Sequence, residues 1–139
     1  MTYWIMKANT LFYNHLASFA KRGYIDWKQP QKNKVAVGDI MYIFLAPEHN
    51  KIMVKAIVEK IDLEPEEATD DLEFWINLDK YEEGKEGLYM RVKKLDVVNN
   101  DYLNYNTLIL NGMDKNLKFL NKITDDYLID YIDQFFNVE

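Results

Sequence analysis

The chain has 139 residues, near the common size of one domain, of which 48% are hydrophobic and 14% aromatic, with only 5 glycines and 3 prolines. That mix excludes a disordered, collagen-like or linker-dominated chain and predicts a single domain over 1–139. No apolar run approaches the roughly 18 residues of a membrane span, and the start Met1-Thr2-Tyr3-Trp4-Ile5-Met6-Lys7 lacks the layout of a signal peptide, so a cytoplasmic protein with no membrane partner is expected. Cysteine is absent, which removes disulfides, thiol nucleophiles and thiolate metal sites. Net charge is -6, which by itself argues against a nucleic-acid partner. The charge is unevenly spread, however: residues 1–60 net +5, residues 61–86 net -9 and residues 87–139 net -2.

Tyr3 to Ala8 is aromatic and β-branched at its start and reads as a strand covered on both faces. From Leu11 to Arg22, Phe12, Leu16, Phe19 and Ala20 fall on a helical stripe, with Asn9 or Thr10 as N-cap and Gly23 as the stop. Residues 26–34 are polar and basic around Trp27, and Pro30 bars a central strand, so they read as a loop. Val37-Gly38-Asp39 turns into Ile40 to Ala46, a strand too uniformly apolar to have a wet face and therefore central. After a five-residue connection at Pro47 to Lys51, Ile52 to Ile61 reads as its antiparallel partner. An acidic connection at 62–73 follows, then a short strand candidate at Phe74 to Leu78 and a half-buried strand at Leu88 to Leu95. Beyond Val98 the chain turns Asn-rich and Leu-rich. It closes on a helix from Asp125 to Phe136, capped by Thr124, whose Leu128, Tyr131, Ile132 and Phe135 form a packing stripe. The sum is an α+β fold, a small mixed sheet of barrel-like character flanked by an early helix and a C-terminal helix.

Chemistry is sparsely supplied. His15 and His49 lie far apart in sequence with no acid pattern of a zinc site, so no metal is expected. The one serine, Ser18, falls inside the first helix and away from any nucleophile elbow. The glycines form no phosphate-binding run, so no nucleotide cofactor is expected. Glu64, Glu66, Glu67, Asp70, Asp71 and Glu73 lack the Gly-centred spacing of a calcium loop and read as a solvated acidic loop that keeps a polyanion off its side of the protein. Fifteen of the seventeen cations are Lys, the exceptions being Arg22 and Arg91; this favours phosphate contacts over bidentate reading of guanine. What remains is aromatic rings beside lysines, a combination suited to stacking a base while holding its phosphate. Trp27 is the most specific candidate, because few apolar residues surround it in sequence. Asn9 either caps the helix or offers its amide to a base edge.

Tyr3 to Asn9, the following helix, Trp27, and above all the stretch from Val37 to Pro47 through Ile52 to Glu59 resemble an EVE domain. EVE domains belong to the PUA-like superfamily together with the YTH and ASCH families. The resemblance covers roughly residues 3–98, and Leu108 to Gly112 with the last helix resemble closing elements of such modules. It implies a small mixed barrel with a pocket at one end that, in related families, receives a modified base flipped from DNA or a base of RNA. It would place Lys7, Asn9, Tyr13 and Trp27 around that pocket, Trp4 beneath it or in its wall, and Phe74 and Trp75 on the far side. The leading reading is therefore a non-enzymatic reader of one modified or unpaired nucleobase, with Lys7, Lys28, Lys32 and Lys34 on the adjacent phosphates and no catalytic residue. Its partner is nucleic acid, with a protein partner fused or separate; the oligomeric state is left open. The alternatives are a small ASCH-like hydrolase of a modified nucleoside, using for instance Lys7 with Glu59 or Glu73, and a protein-interaction module on the same fold.

Overall fold

The computed structural model describes residues 1–30, 34–68, 71–83 and 87–137. Six strands form one sheet: β1 (Tyr3–Asn9), β2 (Tyr24–Lys28), β3 (Ile40–Ala46), β4 (Lys51–Leu63), β5 (Tyr89–Val97) and β6 (Leu120–Ile123), in the spatial order β2-β5-β4-β3-β1-β6. All neighbours are antiparallel except β1 and β3, which run parallel. The mixed α+β expectation holds, and the sheet stays open, with β2 and β6 at its two ends. Four helices accompany it: α1 (His15–Arg22), α2 (Leu78–Glu83), α3 (Tyr105–Leu110) and α4 (Asp126–Asp133). None among the described residues is long and apolar enough to cross a membrane.

Every residue of β3 is buried. Strand side chains alternate between faces, so Met41, Ile43 and Leu45 enter one core with Trp4, Met6, Tyr13 and Phe19, and Ile40, Tyr42, Phe44 and Ala46 enter a second with Leu108, Leu128 and Ile132. The first core lies under α1, the second under α3 and α4. The Tyr42 hydroxyl donates to Asp133 Oδ1 at 2.5 Å, and Lys55 Nζ reaches the same oxygen at 2.8 Å, tying α4 to the middle of the sheet.

Local chemistry departs from the sequence reading at five places. Helix α1 starts at His15 with Asn14 as N-cap, its side chain accepting from Ala17 N at 3.2 Å, whereas Asn9 Oδ1 takes Leu11 N and closes a turn. Residues 12–14 are claimed instead by a short antiparallel contact: Tyr13 bridges Trp75, Asn14 N donates to Phe74 O, and Ile76 N donates to Phe12 O. That contact also removes the strand expected at 74–78, which is the end of a 3-10 turn leading into α2. Trp27 sits on β2, not in a loop, because the outer edge of β5 takes Tyr24–Lys28 as its partner; Pro30 falls just past the strand end. Asp125, one residue after the expected Thr124, caps α4 by accepting from Tyr127 N.

Asp39 locks β1 to β3. The turn before β3 places Gly38 at φ +93°, and Asp39, buried behind it, accepts from Thr2 N at 3.0 Å, Ala36 N at 2.9 Å and the Trp4 indole Nε1 at 3.0 Å. Burial acts to raise the carboxyl, but the three donors outweigh it and hold the group below its ordinary range. Asp39→Ala orphans three donors and is expected to cost about 3 kcal/mol in urea unfolding. A carboxylate depressed in the fold contributes fully above its unfolded pKa and loses that contribution as pH falls through its folded value. The stability advantage of the wild type over Asp39→Asn should therefore be constant at neutral pH and shrink below about pH 4.

Candidate functional site

A cavity of about 890 Å³ opens between the end of β1, the segment 12–15, β2 and the acidic stretch from Pro65 to Trp75. Its size is in the range that holds a small organic ligand. Aromatic rings form a continuous band along it. Trp27 stacks on His15 with centroids 5.4 Å apart and planes at 18°. His15 meets Tyr13 at 4.9 Å, Tyr13 meets the edge of Trp75 at 5.1 Å, and Trp75 meets Tyr81 at 5.7 Å. Phe12, Tyr89 and Phe119 complete the apolar wall.

Each ring is positioned by the backbone. Tyr13 is fixed by its bridge to Trp75, and its buried hydroxyl donates to Ser18 Oγ at 3.0 Å. Burial pushes that phenol upward. Ser18 is buried on α1 and serves this bond. Trp75 is held by its own indole, whose Nε1 donates to Asp71 Oδ1 at 3.0 Å across a single 3-10 turn. Trp27 is fixed by the β2–β5 ladder opposite Met90.

The polar part of the wall has two layers. Lys7, Lys28 and Lys80 line the cavity as exposed side chains. Deeper lie Asp26, His15 and the half-buried Asp71. Asp26 is engaged by Arg91, through Nε at 2.7 Å and Nη2 at 3.0 Å. Burial holds the Asp71 carboxyl above the usual range. His15 is only 4% exposed, its Nδ1 has no hydrogen-bond partner, and burial drives its pKa down to about 3. It is a neutral imidazole at physiological pH. No group of three His, Asp or Glu among the described residues is arranged to hold a metal ion.

Of the residues expected at a pocket, Lys7, Asn9, Tyr13, Trp27, Trp75 and Lys28 are brought together in this wall. Asn9 uses its carbonyl on Leu11 N, leaving the amide NH2 as its remaining polar group there. Trp4 is absent from the wall, because Asp39 takes its indole and the core covers its ring. Phe74 is buried behind Tyr13, at 6.2 Å, also off the wall. Lys34 is exposed elsewhere, and Lys32 lies outside the described residues. Glu59 and Glu73 do not join Lys7: Glu73 pairs with Lys21 at 2.8 Å, and neither acid lines the cavity. The acidic stretch, expected to face solvent away from the site, supplies Pro65, Glu66, Ala68 and Asp71 to the wall. His15 and Asp71 are the chemically telling residues that the sequence did not single out. Once the helix start is moved to His15, the spacing His15, Ser18, Phe19 marks its buried stripe.

No family model and no curated protein sequence matches the chain. Solved structures do match in shape. ASCH from Zymomonas mobilis superposes with a TM-score of 0.61 at 12% identity, over 99% of this chain and 98% of that one. A hypothetical protein from Leishmania major gives 0.63 at 15% identity, over 96% and 93%. The YTH domain of Zygosaccharomyces rouxii MRB1 protein, in complex with N6-methyladenosine RNA, gives 0.57 at 9% identity, over 99% and 88%. At such identities the likeness is one of fold: the chain has the PUA-like fold of ASCH and YTH domains.

The buried imidazole carries a measurable cost. A histidine lowered in the fold is neutral in both states above its unfolded value near 6.5. As pH falls below that, the unfolded chain binds the proton and the fold loses stability. Between pH 6.5 and pH 5 the loss is about 2 kcal/mol from this group alone. Urea unfolding should show the wild type losing that much more than His15→Phe, which keeps a ring against Trp27. Equal pH dependence in the two proteins would mean that His15 is protonated within the fold.

Proposed function

We propose that the protein is an EVE-type module that takes a modified or flipped nucleobase of a nucleic acid into this cavity. The observation that carries the reading is the band from Trp27 through Tyr13 to Trp75, lining a cavity large enough to admit a base, with three exposed lysines on its wall. Flat rings offer stacking worth about 1–3 kcal/mol per base, and lysines attract the flanking phosphates. Extruding a base from a duplex costs a few kcal/mol, so the ligand favoured here is unpaired or modified, where that cost is lowest. The YTH domain of the same fold, in complex with N6-methyladenosine RNA, supports this direction. In this reading the protein acts in the cytoplasm and binds through one base, Lys7 and Lys28 holding the phosphates beside it.

A second reading is a small hydrolase of a modified nucleoside. One observation favours it: Asp71, a carboxyl raised by burial, stands in the wall beside Tyr13, and raised carboxyls suit proton transfer. Incubation with acylated and alkylated nucleosides followed by product analysis separates the two, since the reader returns its ligand unchanged.

Single-stranded oligonucleotides differing in one modified base, titrated by anisotropy, test the main reading. Trp27→Ala should weaken the preferred ligand about tenfold to a hundredfold, whereas Lys34→Ala should leave its affinity within twofold. Lys28→Ala should lower the slope of log affinity against log salt by about 0.7. Weak, salt-governed binding that ignores both the modification and Trp27 would defeat the proposal.

A further inference from the structure

The wall has a polarity that says more about the guest. Its exposed members include Lys7, Lys28 and Lys80 together with Glu66, whereas its half-buried and buried members are rings, aliphatic side chains and the carboxylates of Asp26 and Asp71. Asp26 is already neutralised by Arg91. Asp71 is different: among the described residues it makes no salt bridge, and its indole partner Trp75 occupies one oxygen. A carboxylate has about four acceptor positions, so the Trp75 indole and the neighbouring Tyr13 hydroxyl leave it acceptor capacity in the cavity wall. Arg22 is the cation that acts on it, but that guanidinium is held between Tyr24 and Phe74 and does not line the cavity. His15, the one further nitrogen base in the wall, is kept neutral by burial and adds no positive charge. Trp27, Trp75 and Tyr13 line the cavity, and a cation over the face of such a ring is attracted by the negative side of its quadrupole.

Resting on the base-pocket reading above, we propose that the preferred guest is a base carrying a positive charge, an N-alkylated purine or pyrimidine whose phosphates meet Lys7, Lys28 and Lys80 while its ring meets Asp71 and the indoles. The charge layout of such a nucleotide matches the wall: a cationic ring against the Asp71 carboxylate among rings, and anionic phosphates against the three exposed lysines. A neutral base of the same size gains the stacking but neither the cation–π attraction nor the ion pair. Asp71, half-buried in the wall and bonded to the Trp75 indole, is the specificity-determining residue.

Two isomers separate charge from size. 1-Methyladenosine is cationic at pH 7, N6-methyladenosine is neutral, and both carry one methyl group on the same purine. Placed at the same position of one single-stranded oligonucleotide, the first should bind at least tenfold tighter to the wild type. Asp71→Asn, which keeps an acceptor for the Trp75 indole, should shrink that ratio below threefold by weakening the cationic isomer more than the neutral one. Oligonucleotides with 7-methylguanosine and with guanosine repeat the comparison on a second base. Equal affinity for the isomers, or preference for the neutral one, overturns the charge inference and leaves the base pocket standing. Binding of every modified oligonucleotide at the level of the unmodified strand overturns both.

Discussion

The structure depends on a strand with no wet face. Ile40–Ala46 buries all its side chains, and each large aliphatic one withdrawn from water contributes about 1.5–3 kcal/mol. A strand of that kind must lie inside the sheet and must be covered above and below. Both requirements are met by other parts of the chain: β1 and β4 flank it, α1 covers one face, and α3 with α4 cover the other. The Asp39 carboxylate then sets where β1 stands relative to β3, since it binds the start of one strand from the turn that begins the other.

The two covers differ in completeness, and the cavity follows from that difference. On the α4 side, Leu128, Ile129 and Ile132 reach the sheet and Tyr42 anchors the helix end through Asp133. On the other side, α1 begins late, because residues 12–14 are pinned to 74–76. The sheet face beyond the start of α1 is roofed by the acidic stretch and by side chains of β2. That stretch has turns of three residues and no continuous apolar stripe, so it closes over the sheet without filling the space beneath. Rings project into the gap because they are the large side chains on the elements that border it.

Sequence pattern revealed the elements whose burial follows from composition. β3 is visible because seven apolar residues leave no polar face, and α4 because Leu128 and Ile132 repeat at helical spacing. Residues decided by distant partners were hidden. Trp27 looks like a loop residue among polar neighbours, and only the edge of β5, more than sixty positions away, makes it part of a strand. Phe12 fits a helical stripe with Leu16, Phe19 and Ala20, yet its backbone is worth more bonded to Ile76 than coiled into one further turn. The family resemblance places Trp4 beneath the pocket or in its wall, but its indole N–H needs a buried acceptor and Asp39 supplies it. His15 showed no ligand-like spacing because its role depends on Trp27 and Tyr13, which reach it through the fold.

Charge is the property that the fold reorganises most. Along the chain, a basic first part and an acidic middle stand apart, and net charge -6 describes neither. Folded, Lys7 and Lys28 from the basic part share one cavity with Glu66 and Asp71 from the acidic middle. Among the described residues no ion pair joins those lysines to those acids: Asp26 is the wall acid shown in a bidentate ion pair, and its partner Arg91 comes from β5. A cavity that keeps lysines toward water and a carboxylate among rings maintains a field across a few ångströms, because half-buried charges are screened much less than exposed ones. Such a field is of little use to a uniformly anionic strand lying along the surface. Under the proposed reading it discriminates between guests whose own charge changes sign from one end to the other, so that the depth to which a ligand enters counts as much as its net charge.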